Sequence, residues 1–168
     1  MPLSMYQASV PAILQMLNAL SANLDKAAEH AKASGVDPSE LTNARLAPDM
    51  FPLARQVQIA TDHAKGMAAR LSGRENPKYE DSESTLDELK ARIAKTLAFV
   101  QSVPQSEIDG SETKEITITP GGQARTLSGE RYLLHNALPN FFFHVTTAYD
   151  ILRHKGVNVG KRDYLGNY

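Results

Sequence analysis

Apolar residues recur at steps of three and four along most of the chain, which is the spacing that buries one face of an α-helix. Four long stretches carry this pattern: residues 10–31, 53–71, 86–100 and 141–152. In the second stretch the steps alternate between four and three, as in the seam of a left-handed helix bundle. The pattern therefore predicts an all-α fold, a four-helix bundle, formed by one domain that spans residues 1–168.

Residues at the helix boundaries support the first three predicted helices. Gly35 and Gly73 follow the first and second stretches, where glycine favours the left-handed conformation that ends helices. Thr85 and Glu88 have the spacing of a capping box, so the third helix is predicted to begin at residue 86. The charged side chains of this third helix are interpreted as a solvated face: Asp87, Glu88, Lys90, Arg92 and Lys95.

Residues 115–127 depart from the helical pattern. They alternate with a period of two on both sides of the turn sequence Pro120-Gly-Gly, which predicts a short β-hairpin between the third and fourth helices. Pro139 then interrupts the last helical stretch, and two alternatives remain open: one helix kinked at the proline, or a short helix that leads into a new one. The phenylalanines at 141–143 cannot all face one core, so at least one is expected at a second surface.

Composition narrows the function classes. The net charge of −1 provides no basic field that would collect nucleic acid or an anionic membrane. The absence of cysteine excludes disulfides, thiolate catalysis and cysteine-ligated metal. No apolar run approaches the roughly 18 residues of a membrane span, and the N-terminus lacks the pattern of a secretory signal, so we expect a cytoplasmic protein.

Two histidines lie where a bundle would bring two helices together. His144 is on the core-facing stripe of the last helix, and His63 is on the flank of the second helix, about 80° from the centre of its stripe. A histidine in such a position is either a buried neutral side chain with a hydrogen-bond partner or a metal ligand. The sequence pattern alone leaves both alternatives open.

Three motifs carry a resemblance to a known family. They are Arg45-Leu-Ala-Pro-Asp-Met-Phe-Pro-Leu-Ala-Arg-Gln-Val-Gln, Leu138-Pro-Asn-Phe-Phe-Phe-His-Val-Thr-Thr-Ala-Tyr-Asp-Ile-Leu-Arg-His-Lys-Gly and Gly160-Lys-Arg-Asp-Tyr-Leu-Gly. Over nearly its whole length the chain resembles a bacterial family that is known only as a domain of unknown function, number 1993. That family is grouped with the DinB/YfiT-like four-helix proteins, many of which are regarded as metalloenzymes.

The resemblance implies a divalent metal, zinc, nickel or iron, held by one histidine on the second helix and an H-x-x-x-H pair on the last. His63 and His144 match two of these positions, and Asn140 stands where the first histidine of the pair is expected. A carboxamide oxygen is a weaker ligand for zinc or nickel than an imidazole, so the implied site is degenerate. Asp62 and Tyr149 are further candidates for lining the cleft. The alternative for Asp62 is a carboxylate that is exposed or paired with a basic residue. The alternative for Tyr149 is a core or interface aromatic whose hydroxyl is hydrogen-bonded.

The sequence and the resemblance leave two functions open, one as an enzyme and one as a non-catalytic protein. The resemblance implies a relative of divalent-metal-dependent enzymes, of the small-molecule or thiol transferase type. The alternative is a non-catalytic bundle that binds a small molecule or assembles as a homo-oligomer, most simply a dimer. The asparagine at position 140 and the spare phenylalanine favour this alternative, and whether the protein is an enzyme stays open.

Overall fold

The computed structural model describes residues 3–167 of the chain. Four long helices form a bundle: α1 (Val10–Ser34), α3 (Leu53–Ser72), α4 (Leu86–Gln101) and α7 (Leu138–His154). Four short helices accompany them, three in the connections and the last after α7: α2 (Pro38–Thr42), α5 (Gln105–Ile108), α6 (Gly129–Tyr132) and α8 (Lys161–Leu165). The predicted four-helix bundle is confirmed.

Local residues set the ends of the long helices. Gly35 and Gly73 adopt left-handed conformations, with φ of 68° and 85°, and their N–H groups donate back to the last turns of α1 and α3. At the start of α4, Glu88 N donates to Thr85 Oγ1 at 3.2 Å while Thr85 N donates to Glu88 Oε2 at 3.0 Å. The predicted boundaries are therefore confirmed by the hydrogen bonds that the sequence pattern implies.

The core lies between the four long helices. α3 packs against both α4 and α7, and α1 packs against the same two helices from the other side. Ala60, Ala64 and Ala68 are fully buried on α3, and their small side chains let a neighbouring helix approach closely. α3 is consequently enclosed by its neighbours, and the side chains on its flanks lie at the seams between helices.

The predicted hairpin is also present. β1 (Glu115–Ile118) and β2 (Arg125–Ser128) pair antiparallel, with Ile116 opposite Leu127. Ile116 is buried and Leu127 packs against the core cluster, so one face of the hairpin lies on the helices. A two-stranded hairpin is marginal on its own, and this contact explains its stability.

Helix α6 continues into α7 without a break. Leu133–Ala137 form a π-helical segment between them, in which Leu138 N donates to Leu133 O. Pro139 lacks an N–H, and its ring would clash with the carbonyl four residues earlier in a regular α-helix. The wider π turn relieves that clash. Of the two alternatives, the structure therefore shows one continuous helical path with an irregular turn before the proline.

Two side-chain expectations have different outcomes. Phe141 is fully buried, whereas Phe143 is 55% exposed, as expected for a triplet that cannot share one core. The solvated face predicted for the third helix is wrong at Arg92, whose side chain is 1% exposed. Its burial follows from the fold of the loop 73–85, which covers it. No helix among residues 3–167 has the length and apolar character that crossing a membrane requires.

Candidate functional site

The structure brings His63 of α3 and His144 of α7 together. Their ring centroids are 5.8 Å apart and their ring planes differ by 12°. Both residues are half-buried. This juxtaposition follows from the antiparallel packing of α3 on α7, because each histidine lies on the side of its helix that faces the other. The two imidazoles form the centre of the candidate site, which we call the histidine pair.

Gln56 fixes the orientation of His144, and the sequence interpretation did not include it. Gln56 is 1% exposed, and its Oε1 lies 2.7 Å from His144 Nδ1. The amide Nε2 of the same side chain donates to Phe51 O at 3.1 Å. The amide oxygen therefore faces the imidazole, so Nδ1 of His144 carries the proton and Nε2 carries the free electron pair. Gln56 lies seven residues before His63, on the same face of α3, and this spacing is the signal that could have identified it.

Burial favours the neutral form of both members of the histidine pair. Burial lowers the pKa of His63 below its usual value; Arg70 lowers it further, and Asp62 opposes the shift. The pKa of His144 is lowered to about 4, first by burial, then by the charge of His63 and that of Arg55. A second proton on the pair would be placed in a desolvated position close to other cations, which explains the direction of both shifts.

Asn140 does not complete a three-histidine site. Its Nδ2 donates to Asn136 O at 2.7 Å, one turn earlier in the helical path. Within residues 3–167 no three side chains of the types His, Cys, Asp and Glu lie close enough together to hold one ion. The donors that the resemblance implies are thus two imidazoles and a carboxamide, which do not fit the three-imidazole site of the wider group.

Asp62 has cationic partners. Its Oδ1 lies 2.9 Å from Arg92 Nη2 and 3.2 Å from Lys65 Nζ. Arg92 also lies 3.1 Å from Asp81 Oδ1 and 3.1 Å from Glu83 Oε2. We call this guanidinium and its three carboxylate partners, the residues Arg92, Asp62, Asp81 and Glu83, the Arg92 cluster. It joins α3 and α4 to the loop 73–85, so the ion pair that was the alternative for Asp62 is present.

Tyr149 lies apart from the histidine pair. Its ring packs edge-on against Tyr164 of α8, with centroids 5.6 Å apart. Together with Thr146 and Lys161 these two tyrosines line a separate cavity of about 140 Å³. The aromatic packing role that was the alternative for Tyr149 is therefore the one its contacts show.

A larger cavity adjoins His63. It has a volume of about 660 Å³ and lies between α3 and the loop 73–85. Its polar lining residues are Asp62, His63, Lys65, Arg70, Asn76, Lys78 and Tyr79. Because cations outnumber the carboxylate in this lining, we call this cavity the basic pocket.

Comparisons with known proteins agree with this architecture. A crystal structure at 1.83 Å resolution, described as a DinB family member protein from Shewanella denitrificans, is similar to this chain with a TM-score of 0.91 and 45% sequence identity. The match covers 97% of this chain and 92% of that chain. The fold is thus a DinB-like helical bundle.

The family follows from the sequence. The model of the family described as a domain of unknown function, DUF1993, matches residues 5–165, and the chain belongs to that family. Its resemblance to both the family and the wider DinB group, expected from three motifs, is confirmed. No protein with a curated description matches the chain.

Proposed function

We propose that this protein is a small-molecule-binding helical bundle whose binding site centres on the histidine pair. One observation carries the proposal: two imidazoles 5.8 Å apart lie at the seam between α3 and α7, and one of them is oriented by a buried glutamine. A buried side chain that orients a half-exposed imidazole is common in sites where the other ring nitrogen binds a partner. The adjoining basic pocket supplies volume for a ligand.

The protonation state defines what the histidine pair can do. Nε2 of His144 offers an electron pair, so it accepts a hydrogen bond from a hydroxyl, amine or thiol of a ligand. A group with a pKa of about 4 is poorly matched to proton transfer at pH 7, where a general base works best with a pKa near the operating pH. Recognition, rather than acid–base catalysis, is therefore the role that this geometry supports best.

Binding of a divalent metal, zinc, nickel or iron, is a second candidate. The observation that favours it is again the bond from His144 Nδ1 to Gln56, because metal-ligating histidines commonly donate their second ring nitrogen to an oriented acceptor. Against it stands the donor set, in which Asn140 replaces an imidazole. The binding role proposed for the histidine pair requires no metal.

A homodimer remains a further prediction. Phe51 and Phe143 are 53% and 55% exposed, respectively, and large exposed aromatic side chains are enriched at protein interfaces. Light scattering of the purified protein at several concentrations would measure the mass. A monomer at all concentrations would contradict the prediction, and a dimer that dissociates on Phe143→Ser would support it.

The test of binding uses the untagged full chain and matched histidine variants. Thermal unfolding is measured with a panel of small hydroxyl, amine and thiol compounds, before and after chelation. We expect stabilising compounds whose effect is lost in His63→Gln and His144→Gln but retained in His135→Gln. His135 is exposed and lies on the π-helical segment, so its replacement controls for the loss of an imidazole as such. A panel in which no compound depends on either member of the pair would contradict the proposal.

Metal content separates the two candidates. Elemental analysis of the same preparations would support the metal site if zinc, nickel or iron is present in a 1:1 ratio in the wild type and lost in His144→Gln. A ligand that binds equally well before and after chelation would support recognition by the imidazoles alone.

A further inference from the structure

We propose that the basic pocket binds the anionic group of a small molecule, a carboxylate or a phosphate, next to His63. The proposal rests on the small-molecule function above and names the chemical class of its ligand. The cavity volume of about 660 Å³ is within the range of sites that hold metabolite-sized ligands. Its walls come from α3 and from the loop 73–85, so the ligand would reach the histidine pair from the loop side.

Positive charge exceeds negative charge in this pocket. Asp62 lines the cavity, but it already lies 2.9 Å from Arg92 Nη2 and 3.2 Å from Lys65 Nζ. Arg70 and Lys78 line the same cavity, and neither forms an ion pair with a carboxylate in the part of the chain that the structure describes. Two cations therefore border one cavity without a counter-charge, and an anionic ligand group would supply it.

Arg70 is positioned by contacts that involve no anion. Its Nη1 donates to Tyr132 Oη at 3.1 Å, and its guanidinium carbon lies 5.7 Å from the centroid of the tyrosine ring. The guanidinium also crosses Gly66 so closely that a β-carbon at that position would overlap Nη1. Glycine inside a helix costs about 1 kcal/mol relative to alanine. Gly66 makes room for the guanidinium of Arg70. Because this guanidinium is already oriented, less conformational entropy is lost when an anion binds to it.

Lys65 and Asn76 add fixed polar groups to the same wall. Lys65 is 5% exposed, and its ammonium lies 3.4 Å from Asn76 Oδ1 and 4.9 Å from the ring centroid of Tyr79. A lysine buried to this extent is held by its neighbours instead of moving freely in solvent. The pocket therefore combines one buried ammonium, one oriented guanidinium and the exposed Lys78.

The distribution of charge favours a compact anion over a polyanion. The whole chain has a net charge of −1, so it provides no general attraction for a polyanion beyond the cations of the cavity. Nucleic acid needs a continuous basic track that neutralises several phosphates. A single carboxylate or phosphate needs only the two or three cations that this pocket supplies.

The experiment titrates the full chain with inorganic phosphate and, separately, with succinate, at constant ionic strength set with sodium chloride. Backbone amide signals of residues 63–79 are followed by two-dimensional NMR. We expect saturable shifts in this segment with a Kd on the order of 1 mM for at least one of the two anions. Stronger binding of phosphate assigns a phosphate-bearing ligand, and stronger binding of succinate assigns a carboxylate.

Matched variants test the assignment to this pocket. Arg70→Gln is expected to weaken binding at least about tenfold, since a charge-assisted bidentate contact is lost. Gly66→Ala is expected to have the same direction of effect while keeping every charge, because the β-carbon displaces the guanidinium. Arg125→Gln removes one charge from the exposed strand β2 and should leave the Kd unchanged. Equal Kd values for wild type and Arg70→Gln, or an equal loss in Arg125→Gln, would overturn the proposal.

The two proposals fail in distinguishable ways. If anion binding depends on Arg70 but no compound depends on His144, the anion site stands and the proposed role of the histidine pair is wrong. If compounds depend on His144 but neither anion binds in an Arg70-dependent manner, the histidine pair stands and the anionic ligand class is wrong.

Discussion

Two groups of charged side chains meet the loop 73–85, and they differ in whether each charge has a partner. In the Arg92 cluster, one guanidinium faces three carboxylates, and Asp81 pairs in addition with Arg55. In the basic pocket, Arg70 and Lys78 have no carboxylate partner among residues 3–167. Both groups use side chains of α3 and lie against the same loop, although Arg92 is on α4 and is more buried than Arg70 and Lys78.

The difference separates a structural role from a binding role. A buried guanidinium that satisfies several carboxylates fixes one arrangement of the loop and leaves no capacity for a ligand. Unpaired cations around a cavity repel one another and are stabilised further when an anion enters. The Arg92 cluster therefore holds the loop in place, and the basic pocket uses the wall that this loop provides.

The largest effect is expected from breaking the Arg92 cluster. Arg92→Met removes a guanidinium that is 1% exposed and leaves the three carboxylates without it, so the free energy of unfolding should fall by about 3 kcal/mol. Urea unfolding measures this change. Arg125→Met, on the exposed hairpin, should change stability by less than about 0.5 kcal/mol. A loss in Arg92→Met no greater than in this control would show that the cluster does not hold the loop.

Lowering the pH should weaken the fold, because it adds a positive charge to the half-buried His144. The unfolded chain binds a proton at His144 below pH 6.5, whereas the folded protein resists it until about pH 4. Between these pH values the unfolded state binds more protons than the folded state. The contribution of His144 to the free energy of unfolding is therefore fully present above pH 6.5 and is lost as the pH decreases. The loss is about 2 kcal/mol after allowing for solvent screening.

The check is a comparison of unfolding free energies between pH 7 and pH 4.5. The wild type should lose more stability over this interval than His144→Gln, since titrating groups outside the histidine pair contribute equally to both. The exposed-histidine variant His135→Gln should follow the wild type. Parallel pH profiles for the wild type and His144→Gln would mean that the imidazole at 144 is not held neutral by the fold.

A smaller effect is expected when Arg70 loses its anchor. Tyr132→Phe removes the hydroxyl that accepts from Arg70 Nη1 and should lower stability by about 1 kcal/mol. Because the guanidinium then moves more freely, phosphate or succinate affinity should fall as well. Calorimetric titration and thermal unfolding of the same preparation measure both quantities. Unchanged affinity would show that the tyrosine does not position the guanidinium.

The smallest change in stability, and the sharpest contrast between the two groups, is expected from Gly66→Ala. Alanine raises helix propensity, so stability should rise by at most about 1 kcal/mol while anion affinity falls. Combining this substitution with Arg70→Gln should give no further loss of affinity beyond that of Arg70→Gln alone, because both act on one guanidinium. Additive losses would show that Gly66 acts through another group.

The parts of the fold that depend on local chemistry were predictable. Gly35 and Gly73 end helices by the conformation they adopt, and Thr85 begins one by accepting a hydrogen bond from the backbone three residues later. Pro139 allowed two outcomes, because its missing N–H can be accommodated by a kink within one helix or by a break between two helices. The choice among them depends on packing against α3, which no local pattern reports.

Only the parts of the site that depend on helix geometry were predictable from the sequence. The positions of His63 and His144 follow from the faces of two antiparallel helices. Gln56 was missed although its spacing to His63 places it on the same face, because a glutamine in an apolar stripe gives no chemical signal of its own. The burial of Arg92 depends on residues 73–85 folding back over α4, so a pattern of charges on an isolated helix indicated a solvated face.

The π-helical segment sets the relative orientation of Tyr132 and His144, which contact different parts of the site. In a regular α-helix, residues 132 and 144 would point about 120° apart. A turn that absorbs one additional residue reduces this angle to about 20°. Tyr132 can therefore anchor Arg70 while His144 meets Gln56, both on the side facing α3. Inserting a single residue into Leu133–Ala137 should rotate one of these contacts away by about 100° and uncouple the two halves of the cleft.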